Sequence, residues 1–282
     1  MIKIIVLFTI LTSQVYARIN RIIAYADSYT DNGNDFRYSG FPPAPYYEGR
    51  FSNGPTWIDY TTKNLGLSQI NHGFGGATSN NDYIYSIFNG FIVPGFKQQI
   101  DRVPPPSGNQ EGNLYAVFFA ANDISGLANP GDFYIQKKYT TNTIIDNIVA
   151  GIEKLIAKYK ARNFIVFNQP PLDRFPIIKS KDKPYFKDLI NRFNSDLFKR
   201  VDMIENAKVI HVDVHAFFTG ILNNPTKYGF KNTKAGCFNI YTKSLCKNVS
   251  EHVLWDRIHP TADVHKLLGD YVTTIISKNF DI

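Results

Sequence analysis

The sequence predicts an α/β fold: a three-layer α/β/α sandwich on a parallel sheet. The first observation is a set of continuous apolar runs, of the kind that strands buried on both faces require. The second is the spacing of amphipathic stretches of helical length between those runs. The third is size. A chain of 282 residues suits one α/β domain with a large core, and no repeat or linker divides it.

In chain order, residues 21–26 (Arg-Ile-Ile-Ala-Tyr-Ala) form the first strand candidate. A helix over 56–65 and a weaker strand over 69–74 follow. A helix over 96–103 leads to the strong strand 114–120, apolar throughout. Next come helix 141–160, strand 163–168, helix 183–203 and strand 208–213. Helices over 214–223 and 262–279 complete the pattern. Three irregular stretches break the rhythm. Residues 38–55 are rich in Tyr, Gly and Pro, 104–113 form a Pro/Gly connection, and 223–250 hold both cysteines. Loops of this length in a compact domain more often carry function than not.

The N-terminus has the pattern of a secretory leader. Lys3 supplies positive charge, residues 4–12 are apolar, and Val15-Tyr16-Ala17 meets the small-residue rule for cleavage after Ala17. The expected organisation is a signal peptide over 1–17 and one domain over 18–282, secreted to the extracellular space. No stretch reaches the roughly 18 apolar residues of a membrane span. In an oxidising compartment Cys237 and Cys246 read as one disulfide, with two free thiols or half a metal site as the other readings. Asn248-Val249-Ser250 is a glycosylation sequon, used if the host is a eukaryote.

The formal charge of +7 speaks to solubility and to attraction for anionic surfaces, not to fold. With no run of five basic residues and no nucleic-acid motif, nucleic acid is not an expected partner. Aromatic residues make up 15% of the chain, more than a core needs, so some are expected to line a groove.

The chemistry begins with Asp256-Arg257-Ile258-His259-Pro260. A carboxylate three residues before an imidazole can hold the ring and leave its other nitrogen free as a base. The matching hydroxyl is Ser28, where the run Ile22-Ile23-Ala24-Tyr25-Ala26-Asp27 stops in a polar turn. Together they suggest a serine hydrolase in the chain order Ser, Asp, His. Taken alone, Ser28 also fits a helix N-cap. Gly75-Gly76 allows close backbone approach to a reacting group, or an ordinary turn. Asn122, just after a strong strand, offers an amide donor to an oxyanion, or a turn residue. His211-x-Asp213-x-His215 can mimic metal ligands but reads as a strand end and a helix start. His265 and His252 lack an Asp three residues earlier.

In order and placement these blocks resemble the GDSL, or SGNH, hydrolase family of esterases and lipases, over nearly the whole chain from Arg21. Ala26-Asp27-Ser28-Tyr29 with Thr30-Asp31-Asn32-Gly33-Asn34 resembles the first block. Gly76 matches the Gly of the second, Ala120-Ala121-Asn122-Asp123 the third, and Asp256 with His259 the last. The stretch Tyr47-Glu48-Gly49-Arg50-Phe51-Ser52-Asn53-Gly54 is similar to the family's secreted lipase-like branch. The resemblance implies a flavodoxin-like sheet with Ser28 as nucleophile, His259 as base and Asp256 as its orienter. It also implies Ser28 N–H, Gly76 N–H and the Asn122 amide as oxyanion donors. No cofactor or metal is implied. The expected partners are a small-molecule or lipid acyl ester, with acetylated polysaccharide as the alternative and at most transient membrane contact. The protein is expected to be a monomer. Ala26 and Ala120 stand where the family has Gly, and both are expected at extended backbone positions. The rival is a catalytically silent binding protein that keeps the fold.

Overall fold

A computed structural model of the chain describes residues 18–108 and 110–282. The leader expected over 1–17 lies outside the described residues. Five strands form the main sheet: β1 (Arg21–Ala26), β2 (Ser68–Asn71), β3 (Asn113–Phe118), β4 (Asn163–Phe167) and β5 (Lys208–Val212). Their order is β2-β1-β3-β4-β5, and every pairing is parallel. This is the flavodoxin-like order, in which the progression of strands along the sheet reverses between β1 and β3 and opens a crevice at their carboxyl ends.

The helices are α1 (Asn34–Ser39), α2 (Trp57–Leu65), α3 (Phe96–Asp101), α4 (Ala121–Ala128), α5 (Thr141–Tyr159), α6 (Lys183–Val201), α7 (Val214–Asn223) and α8 (Ala262–Asn279). Right-handed crossovers put α2 on one face of the sheet and α3, α5 and α6 on the other. The contacts agree: α2 packs on α8, while α5 packs on both α3 and α6. On the first face Trp57 lies 4.8 Å from Phe167, which stacks on Phe118 at 4.7 Å. On the second, Phe96 lies 5.8 Å from Tyr25 and 4.9 Å from Phe119. All residues of β3 and β4 are buried, whereas the edge strands β2 and β5 are partly exposed. Continuous apolar sequence is therefore strongest where both faces are covered.

Each expected strand and helix is found, with ends moved by a few residues. Two helices were not foreseen. Neither α1 (Asn-Asp-Phe-Arg-Tyr-Ser) nor α4 (Ala-Asn-Asp-Ile-Ser-Gly-Leu-Ala) has helix-forming residues throughout, so tertiary packing overrides propensity. The stretch 223–250 is also less irregular than expected. Asn232–Gly236 pairs with His252–Leu254, which puts His252 in a strand. Beyond it, Cys237 and Cys246 are joined in a disulfide that closes a hairpin, with Cα atoms 4.8 Å apart. With the sulfurs bonded to each other, no thiolate is left for a metal beside His252. His211 lies in β5, one residue before its end, and Asp213 caps α7, accepting from Ala216 N–H at 2.9 Å, as their spacing implied.

Candidate active site

Ser28 leaves the carboxyl end of β1 in a tight turn held by its acidic neighbours. The Asp27 carbonyl accepts from the N–H groups of Thr30 and Asp31, and its side chain accepts from Tyr29 N–H. Asp31 does more. Its carboxylate accepts from Gly33, Asn34 and Asp35 N–H, and from Gly75 N–H at 2.8 Å. One side chain thus ties the Ser28 turn to the glycine loop. Asn34 reinforces the tie through the Asn71 and Gly73 carbonyls.

Gly76 follows with φ +72°, and a Cβ there would lie 2.4 Å from Ser86 Oγ, so only glycine fits. Among the described residues, neither Ser28 N–H nor Gly76 N–H donates to any protein group. Asn122 opens α4 beside them. Its Nδ2 donates to Ala77 O at 2.8 Å, which fixes the amide plane and leaves its second N–H unused. Next to it, Asp123 accepts from Ser79 N–H and Oγ–H, clamping α4 to the glycine loop.

The last block arrives from the other side of the crevice. Asp256 Oδ1 accepts from Ile258 N–H and His259 N–H, each at 2.8 Å. Its Oδ2 lies 2.7 Å from His259 Nδ1, and His259 Nε2 lies 2.9 Å from Ser28 Oγ. With Nδ1–H donating to the carboxylate, Nε2 is free to accept the Ser28 proton. Among the contacts that hold this segment, Tyr29 O–H donates to Ile258 O, Ser52 Oγ–H to Pro260 O, and Trp255 N–H to His259 O. Phe51 packs on the imidazole at 5.1 Å. The structure brings together Ser28, Gly76, Asn122, Asp256 and His259, all lining one cleft of about 510 Å³. Phe41, Phe51, Phe88, Phe133 and Phe186 line it too, so the aromatic excess does form a groove.

Sequence reasoning missed one contact. Tyr46 O–H donates to Asp256 Oδ2 at 2.8 Å, sharing that oxygen with His259. Its ring is wedged edge-on against Phe51, Phe238 and Trp255. A tyrosine in a Tyr-rich loop 210 residues from its partner leaves no pattern from which to find it.

Buried carboxyls surround the Ser28 turn. Burial opposes the charge of Asp256, but the His259 contact and the two backbone N–H bonds outweigh it and hold this carboxyl below its usual range. Asp27 and Asp35 differ: burial pushes each up to about 7. Among the described residues, Asp27 has one side-chain oxygen without a hydrogen-bond partner and Asp35 two. The native state therefore binds protons near neutrality that the unfolded chain does not, so stability should fall as pH rises through this range. Burial also lowers His72 to about 4 and His265 to about 3. Those two oppose the trend only below about pH 6.5, where the unfolded chain takes up their protons. Calorimetry should give a higher Tm at about pH 6.5 than at about pH 8; a flat or opposite trend would show these carboxyls are charged in the native protein.

The sequence profile described as GDSL-like Lipase/Acylhydrolase matches residues 27–272. The chain belongs to this family. The family is one of carboxylic ester hydrolases, and the chain is assigned to them. Among curated relatives of this GDSL-family chain, the thermolabile hemolysin of Vibrio parahaemolyticus is 26% identical over 275 residues. That match spans 90% of this chain but 63% of the hemolysin. A GDSL esterase/lipase of Arabidopsis thaliana is 27% identical, spanning 88% of this chain and 86% of its own. Solved structures share the fold. An extracellular lipase from Streptomyces rimosus superposes with TM-score 0.53 at 12% identity, covering 91% of this chain and 100% of that one. An acetylxylan esterase from Geobacillus stearothermophilus gives 0.52 at 13%, covering 92% and 94%.

The two alanines that stand where the resemblance leads to an expected glycine behave differently. Ala26 is extended within β1, as expected. Ala120 is not: at φ 118° and ψ −14° it is in the left-handed region, which the expectation for this residue had wrong. The chain must turn there to start α4 and aim Asn122 at the glycine loop. A Cβ in that region costs about 1–2 kcal/mol, partly offset by the smaller unfolded-state entropy of alanine. Ala120→Gly should therefore stabilise by roughly 0.5–1 kcal/mol, and Ala26→Gly should destabilise by about 1 kcal/mol. Urea melts of both variants check this, and destabilisation by Ala120→Gly would contradict it.

Proposed function

We propose that this chain hydrolyses carboxylic acyl esters through an acyl-serine intermediate on Ser28. His259 Nε2 takes the Ser28 proton as Oγ attacks the carbonyl carbon, then returns it to the leaving alcohol. Water, deprotonated by the same nitrogen, releases the acid and restores Ser28. Asp256 holds the ring in the tautomer this requires. Charge growing on the carbonyl oxygen is met by Ser28 N–H, Gly76 N–H and the free Asn122 N–H. The observation that carries the reading is the unbroken run Ser28–His259–Asp256, at 2.9 and 2.7 Å, beside two backbone N–H groups that have no partner among the described residues.

The phenylalanine-lined cleft favours an apolar acyl chain over an acetyl group. A panel of p-nitrophenyl esters from acetate to palmitate tests this. A medium- or long-chain optimum supports it, an acetate optimum points to an acetylesterase, and no turnover sustains the silent binding protein. We read residues 18–282 as a single domain. Export is supported by the leader pattern over 1–17 and by the disulfide, and Asn248 is exposed as a glycan acceptor must be.

Tyr46 acts through Asp256. Its hydroxyl takes up part of the carboxylate's charge, so Tyr46→Phe should leave Asp256 holding the imidazolium harder. The acid limb of the kcat/KM profile should move to higher pH, with activity at neutral pH down by roughly three- to tenfold. An unmoved limb with only a raised KM would reduce Tyr46 to a wall of the cleft.

A further inference from the structure

Two loops border the mouth of the cleft. One is the disulfide-closed hairpin 237–246, which contributes Phe238, Ile240, Tyr241 and Lys243 to the lining. The other precedes α6 and contributes Ile177, Ile178, Lys179 and Asp182. Arg257 joins them, donating from Nη1 to Tyr241 Oη and from Nη2 to the Pro176 and Ile177 carbonyls. They therefore form one face, and its surface chemistry is unusual. Tyr241 is 72% exposed at the tip of this covalently pinned finger, and Leu245 is 54% exposed at its base, beside the disulfide. Lys179, Lys181, Lys243 and Lys247 are exposed around them. Among the described residues none of these four has an ion-pair partner, and Asp182 is the sole acid in residues 176–183 and 237–247.

We propose that this face docks the protein on an anionic lipid surface, with Tyr241 and Leu245 entering the headgroup layer and the lysines meeting anionic headgroups. The inference rests on the ester-hydrolase reading and names where that hydrolase finds its substrate. Charge complementarity supplies the attraction, since each lysine near an anionic bilayer adds roughly fivefold to binding. The exposed aromatic and aliphatic side chains choose lipid over a hydrated acidic polysaccharide, because Leu245 gains from an acyl boundary and nothing from a sugar ring. Docked this way, the cleft mouth opens onto the bilayer.

The test uses the Ser28→Ala protein, so that vesicles stay intact. It should sediment with vesicles of phosphatidylcholine and phosphatidylglycerol, not with phosphatidylcholine alone, and high salt should release it. Lys181→Glu with Lys247→Glu, neither of which lines the cleft, should weaken binding on the order of 10²-fold. Leu245→Ser should weaken it roughly tenfold. Both changes, made in the protein that keeps Ser28, should leave turnover of p-nitrophenyl butyrate unchanged. Equal binding to neutral vesicles, no vesicle binding, or capture by polygalacturonate instead would overturn the proposal. If the soluble ester is not cleaved while Ser28→Ala protein still sediments with anionic vesicles, the hydrolase reading fails and the docking face stands. Turnover without sedimentation removes the docking face alone.

Discussion

Ser28→Ala should reduce ester turnover on the order of 10⁶-fold while leaving the fold intact. In the proposed reaction, removing the hydroxyl takes away the atom that forms the acyl-enzyme. Among the described residues, His259 Nε2 has Ser28 Oγ as its hydrogen-bonding partner, at 2.9 Å, and no second nucleophile bonds to it. What remains is acceleration by the oxyanion donors and by binding, typically about 10³–10⁴ over water. Ser28 Oγ makes no other hydrogen bond among the described residues, so Tm should hardly move. Single-turnover assays with the p-nitrophenyl ester of the preferred chain length measure the loss. Residual activity within tenfold of wild type would mean that another group carries the reaction.

The second large effect is expected at Asp256 and His259. His259→Ala should match Ser28→Ala, because the two act as one unit and their losses do not add. Asp256→Asn should cost less, on the order of 10⁴-fold. The asparagine carbonyl can still accept from Ile258 and His259 N–H, so the loop should hold. Its amide would then present N–H to both His259 Nδ1 and Tyr46 O–H. That favours the ring tautomer with the proton on Nε2, which cannot take a proton from Ser28. Steady-state kinetics on both variants gives the order. A larger loss for Asp256→Asn than for His259→Ala would show that Asp256 does more than orient the ring.

Much of the site was legible because its polar residues sit in short blocks whose local hydrogen bonds are set by spacing. Asp256 to His259 is a three-residue contact, and Asp31 caps residues two to four ahead of it. The central strands were legible for the opposite reason: burial on both faces leaves continuous apolar sequence. What escaped depends on distance or on compromise. Tyr46 meets Asp256 across the crevice, and α1 and α4 are helices made by packing. The backbone at Ala120 could not be read because alanine hides a left-handed φ that glycine would have advertised. Gly76 shows the other case, where a glycine marks a position no other residue can occupy.

The central claim is that Ser28 is the nucleophile, and covalent capture tests it most directly. A p-nitrophenyl alkylphosphonate should inactivate the protein with release of one p-nitrophenolate per chain. Peptide mass spectrometry should place the phosphonyl group on Ser28, and Ser28→Ala protein should take up none. Labelling at another residue, or equal labelling of Ser28→Ala protein, would contradict the account.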